Sequence, residues 1–311
     1  MARRPAAVTL STTLAALLMP AAASAHGDRI PRSELGSAWS APPAVLVGAA
    51  IALLLFGQAF VRLRRRGRHD HAGWDRAALF VAGVAVATLA LVSPLDAAGE
   101  EYLLSAHMLE HVLIGDLAPA LLLVAIRGPL TFFLLPQWVL RPLAKVAPLR
   151  RFLGQLLRPR VALAYWALVY AFWHIPAAFD LTLENRVVHD LEHVTFVLAG
   201  ILVWSQLVDP ARRRELTVGG RLTLAAVLFA AGQVLAYVLI FSFSPLYGPY
   251  AAQDERLFGL SPLTDQRLAG LVMMSEQVMT LGLCAAFLIR VYGRQRAARG
   301  KREALSLAPR P

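Results

Sequence analysis

Residues 188–208 read VHDLEHVTFVLAGILVWSQLV, and this stretch decides the fold. After His193 it carries no charged side chain through Val208. As a helix rising about 1.5 Å per residue, it is long enough to cross a hydrocarbon layer of about 30 Å. Lipid offers backbone amides no hydrogen-bond partner, so an apolar segment of this length satisfies them internally as a helix. Comparable runs recur near 41–61, 76–95, 103–126, 161–177, 222–243 and 266–290. The expected fold class is therefore all-α: a polytopic transmembrane helical bundle of seven spans.

Composition agrees with this reading. Of 311 residues, 57% are hydrophobic, with a mean hydropathy of +0.55, against roughly 45–50% apolar residues in soluble domains. The runs leave no room for a sizeable soluble domain. The net charge of +11 sits in short clusters between spans: Arg62 to Arg68, Arg127 to Arg160, Arg212 to Arg214, and a tail from Arg290 to Arg302. Clusters at every second connection are the mark of cytoplasmic loops and exclude nucleic acid as a partner. The other connections are poor in Lys and Arg and carry Asp96, Glu100, Glu101, Asp180, Glu184, Asp254 and Glu255. The expected topology puts the mature N-terminus outside a bacterial inner membrane and the C-terminus in the cytoplasm. The stretch 128–160, rich in Pro and Arg, reads as an amphipathic segment on the inner surface of the bilayer.

At the N-terminus, Arg3 and Arg4, an apolar stretch through Met19, and Ala23-Ser24-Ala25 form a cleavable signal peptide, residues 1–25. A periplasmic segment, 26–40, would precede the bundle at 41–290, with a basic cytoplasmic tail at 291–311. Cleavage would leave His26 as the first residue, its amine and imidazole forming a chelate that suits copper. Cys284 is the single cysteine, so an internal disulfide or a cysteine-based zinc or redox motif is excluded.

Five of the eight histidines fall at the outer ends of three spans: His107 and His111 open the third, His174 closes the fourth, and His189 and His193 open the fifth. Residues at i and i+4 share a helix face about 6 Å apart, so each pair aims both rings at one place. Ionisable groups in a span are costly and face the bundle interior, and imidazole is the commonest metal ligand. Both pairs are spelled His-x-x-Glu-His, as in one class of zinc protease. A single catalytic metal needs only one such helix, so Glu110 and Glu192 are read as groups that orient the rings or neutralise a bound cation, with no enzymatic role. Met108, Met273, Met274 and Met279 add thioethers, which together with imidazole suit Cu(I). Asp265 and Glu276, three turns apart on one helix, form a polar stripe leading inward, while Asp116 faces a different neighbour from His107.

The two histidine pairs, Trp173-His174-Ile175-Pro176 with Phe179-Asp180, and Leu260-Ser261-Pro262-Leu263-Thr264-Asp265-Gln266 with Ala269-Gly270 together resemble the CtaG family of membrane-embedded cytochrome c oxidase assembly factors. The resemblance covers roughly residues 40–290. It implies a non-catalytic membrane protein that helps mature a haem–copper oxidase by assisting copper delivery. Its implied partners are cytochrome c oxidase subunits and periplasmic copper chaperones. Carried over residue by residue, the functional positions are His107, His111, His174, Asp180, His189, His193, Asp265 and Gln266. The family often has a tryptophan after the methionine that follows Ala-Gly, whereas Met273-Met274-Ser275 stands here, which leaves the role of that stretch open. Three other functions compete: a haem-binding electron carrier, a copper transporter, and an intramembrane zinc hydrolase.

Overall fold

The computed structural model describes residues 30–307, with side chains described to residue 300; the expected signal peptide, residues 1–25, and His26 lie outside the described residues. Among these residues the secondary structure is entirely helical. The long helices are α1 (Pro43–Arg65), α2 (Trp74–Val92), α3 (Leu104–Ile126), α4 (Pro159–Trp173), α5 (Arg186–Val208), α6 (Val218–Phe241) and α7 (Pro262–Leu307). Among the described residues, six helices are long and apolar enough to span, or seven when α4 counts together with the short helix Pro176–Glu184.

That fourth span departs from the straight helix expected at 161–177. The chain bends by 74° between α4 and Pro176–Glu184. Pro176 has no N–H to donate and pushes the residue before it out of the helical region, so Ile175 sits at φ −68°, ψ 124°. His174 remains the residue that closes α4. The 128–160 connection forms two short helices, Gln137–Lys145 and Ala147–Leu156, with no buried residue in either. Trp138 and Phe152 are exposed on them, as an amphipathic surface segment requires. The basic tail continues α7 as helix to Leu307.

α3 and α5 occupy the centre. Half of the apolar window in α3 and 56% of that in α5 are buried, against 17% in α1. α3 packs on α2, α5 and α7, and α5 on α3, α4 and α6. α1 is peripheral, held by Phe56 stacked on Phe80 at 4.1 Å and by the Gln58 amide, which donates to Phe133 O at 2.7 Å and Leu134 O at 2.6 Å.

Small residues let the central helices approach closely, the usual device where lipid removes the hydrophobic drive for helix pairing. The tightest point joins Gly115 of α3 to Gly200 of α5: a Cβ on Gly200 would stand 2.0 Å from the Gly115 carbonyl oxygen. α3 widens there into a π turn over Leu113–Leu117. Pro119 explains it, because its ring cannot donate to Gly115 and would clash with that carbonyl in a regular turn. The displaced carbonyl packs on the bare face of Gly200.

Candidate metal centre

The Gly115–Gly200 contact lies one turn below His111 and two turns below His193, so it sets the two His-x-x-Glu-His segments face to face. Within each segment the i,i+4 spacing brings the rings together, with centroids 4.3 Å apart for His107 and His111 and 4.1 Å for His189 and His193. Across the helices His107 meets His189 at 5.4 Å and His111 meets His193 at 5.4 Å.

The carboxylates cross over. Glu192 of α5 lies 3.8 Å from His107 Nε2 and 3.6 Å from His111 Nε2, both on α3. Glu110 of α3 lies 3.6 Å from His193 Nε2 on α5. These separations are too long for hydrogen bonds. Yet His107, Glu110 and Glu192 are wholly buried, and His189, His111 and His193 are at most 8% exposed. Both oxygens of Glu192, both ring nitrogens of His107 and His111, and the Nε2 atoms of His189 and His193 have no hydrogen-bond partner, and the group placed to meet Glu110 is the Asp96 carboxyl. Each such buried polar group costs about 1–3 kcal/mol unless something meets it.

One donor atom each from His107, His111, His189 and Glu192 lies within 4.8 Å of the other three. Four donors held about 2.0–2.2 Å from one ion stand roughly 3.4 Å apart, so side-chain shifts of about an ångström close this group on a metal. Three imidazoles and a carboxylate suit copper, zinc or iron.

His189 is prepared for that role. Its Nδ1 donates to Glu100 at 2.8 Å, which fixes the tautomer and leaves Nε2 to face the group. Glu100 sits on the short helix Pro94–Glu101. Burial alone would lift its carboxyl, but the hydrogen bond from His189 and the imidazole charge hold it below the usual carboxylate value. On the same helix, burial and the neighbouring Glu100 charge push Asp96 up to about 6. The sequence singles out neither residue as a site member; they stand there only as acidic residues of an outer connection.

The other expected positions divide into supports and outliers. Asp265 caps α3: its carboxylate accepts from Leu104 N at 2.7 Å and Ser105 N at 3.2 Å, and from the Ser105 hydroxyl. The first turn of α3 carries His107, so this cap on α7 positions the cluster. Gln266 accepts from Leu246 N at 2.7 Å and donates to Leu239 O at 3.2 Å, tying the 242–247 connection to α7. Asp180 lies apart from the histidines, beside Gly248.

His174 is outside the four-donor group. Phe196 touches both sides, its ring 4.7 Å from His111 and 6.3 Å from His174, and His174 faces His111 across a cavity that all three line. His174 Nδ1 donates to Tyr170 O at 2.8 Å. Met273 is buried with Met108, below the cluster. Above it, Phe179 packs on His107 at 4.9 Å and on Tyr247 at 4.3 Å, and the Tyr250 hydroxyl donates to Gly99 O. Asp116 faces α5, where the Trp204 indole N–H donates to it.

The sequence model of a family described as cytochrome c oxidase caa3 assembly factor (Caa3_CtaG) matches residues 54–294. No curated protein and no solved structure matches the chain significantly. The matched residues take in α2 to α6, most of α1 and α7, and every residue of the histidine cluster. The chain belongs to this family of oxidase assembly factors.

Proposed function

We propose that this assembly factor holds a copper ion between α3 and α5 and presents it to a cytochrome c oxidase subunit during maturation of the oxidase. The observation that carries the reading is the buried group of His107, His111, His189 and Glu192, whose donors converge without partners. A cation there would meet orphaned lone pairs and neutralise buried carboxylates. In that position a metal supplies charge compensation and a soft, exchangeable link between helices; nothing in the role requires catalysis. Glu192 joins the donors, Glu110 adds a carboxyl 3.6 Å from His193 Nε2 on the opposite helix, and Glu100 sets the tautomer of His189.

The placement follows from loop charge. The histidine end of the bundle adjoins the acidic connection 93–103, while the arginine clusters lie at the far ends of α1, α3 and α5. This distribution supports an orientation with the cluster at the outer leaflet of the bacterial inner membrane and the C-terminus in the cytoplasm. There a periplasmic copper chaperone would have access to it.

Elemental analysis and a visible spectrum of the detergent-purified protein test the reading, beside His107→Ala and His189→Ala. The expected result is copper bound in the wild type and lost in both variants, with a parallel loss of oxidase activity in cells. An empty wild-type protein, with both variants supporting full oxidase activity, would refute it. Zinc in place of copper would favour the hydrolase, and a Soret band the haem carrier.

A further inference from the structure

The histidine cluster has a neighbour deeper in the bundle. A cavity of about 50 Å³ lies between α3, α4, α5 and α7, lined by Met108, His111, Asp116, His174, Met273 and Glu276 among others. A single water needs only about 10–15 Å³ by the same measure, so the space accommodates an ion or a few waters.

Its lining is built for more than packing. Glu276 is 6% exposed and neither carboxyl oxygen has a hydrogen-bond partner. The group placed to meet Glu276 is the Asp116 carboxyl, close enough to share a proton with it, and Asp116 also accepts from the Trp204 indole N–H. His174 spends Nδ1 on Tyr170 O and leaves Nε2 buried and unpaired. His111 belongs to both places, counted among the four outer donors and lining the cavity, with both ring nitrogens free. Met108 and Met273 bring two thioethers, at 1% and 2% exposure.

We propose that this cavity is a second cation site, specific for a soft monovalent ion such as Cu(I), with His111 shared between it and the outer cluster. The proposal rests on the copper reading of that cluster and extends it by one step toward the membrane interior. Among the described residues, the outer group is the one set of three or more His, Cys, Asp or Glu donors gathered within 4.8 Å. The inner site therefore depends on its thioethers, which favour Cu(I) over zinc. Passage from one site to the other is a ligand exchange around His111: one set of donor bonds breaks as another forms, and no electron changes hands. The Asp116–Glu276 pair supplies the compensating negative charge once the entering cation displaces the proton the two carboxyls share, at a depth where an uncompensated ion is costly.

Anaerobic titration of the full-length, detergent-purified protein with Cu(I) against a chromophoric chelator tests this. The wild type is expected to take two equivalents, the His111 ring ligating one ion at a time, so that with the inner site filled through His111 the outer ion keeps His107, His189 and Glu192. Glu276→Gln combined with Met273→Leu is expected to take one, and His189→Ala to lose the outer equivalent. Met273→Leu alone conserves volume and removes only the thioether; it is expected to weaken the second equivalent tenfold or more while melting and elution stay at wild-type values. One equivalent in the wild type, or two retained in the double variant, would overturn the inner site and leave the outer reading intact. Two equivalents of Zn(II) would overturn its soft-ligand character. A wild type that binds no Cu(I) would remove the outer reading as well.

Discussion

Substitution of Gly200 by Ala tests how the two halves of the metal centre are held in register. The added Cβ would lie 2.0 Å from Gly115 O and 2.9 Å from both Gly115 C and Pro119 Cγ. The oxygen and the carbonyl carbon belong to backbone, and Pro119 is a rigid ring, so no flexible side chain can yield. Contacts under 3.0 Å force a shift, and α3 must therefore move away from α5 by about 1 Å. Overpacking of this kind costs about 1–3 kcal/mol. Metal–ligand distances tolerate only about ±0.2 Å, so a separation of about 1 Å, two turns from His193 and one turn from His111, spoils the four-donor group. The expected result is a lower melting temperature in detergent and a loss of copper affinity of tenfold or more. Gly57→Ala is the control. A Cβ there meets nothing within 4 Å, and replacing a mid-helix glycine by alanine is expected to gain about 0.5–1 kcal/mol. If Gly200→Ala melts with or above the wild type and keeps its copper, the close α3–α5 contact does not set the site.

Three further outcomes are expected. Asp265→Ala removes the side-chain cap that α7 supplies to α3 and is expected to lower stability by about 1–2 kcal/mol; thermal unfolding at wild-type values would show that α3 needs no cap from α7. Glu100→Ala frees the His189 Nδ1 and is expected to weaken copper binding about 10- to 100-fold with the fold intact, so an unchanged affinity in the same Cu(I) competition would exclude Glu100 as a positioning residue. Asp209, at φ 51° just beyond α5, accepts from Arg213 N at 2.7 Å, Arg214 N at 3.0 Å and the partly buried Arg221 guanidinium at 2.7 Å. Asp209→Ala is expected to cost about 2 kcal/mol through these lost charge-assisted bonds, measured as a melting shift with copper binding preserved.

Much of this protein is legible from sequence because the bilayer and the α-helix each impose a strong period. A span needs about 20 apolar residues, so residues 188–208 and their counterparts stand out. A helix repeats its face every three to four residues, so spacing alone pairs His107 with His111 and His189 with His193. The same rule places Asp116 away from His107. Other features follow from how one helix is rotated and spaced against the next, which no local pattern encodes. His174 reads as a fifth ligand by position along its span, and in the fold it stands outside the four-donor group, across a cavity from His111. Glu100 reads as loop charge, and becomes a partner of His189 only because the short helix Pro94–Glu101 folds back on the first turns of α3, which brings Glu100 to His189 on α5. Asp265 reads as part of a polar stripe, and turns out to cap a helix that begins 161 residues earlier. Helix identity and facing come from interactions within a turn or two of chain, whereas convergence of side chains from different helices depends on crossing points such as Gly115 against Gly200, where backbone meets backbone.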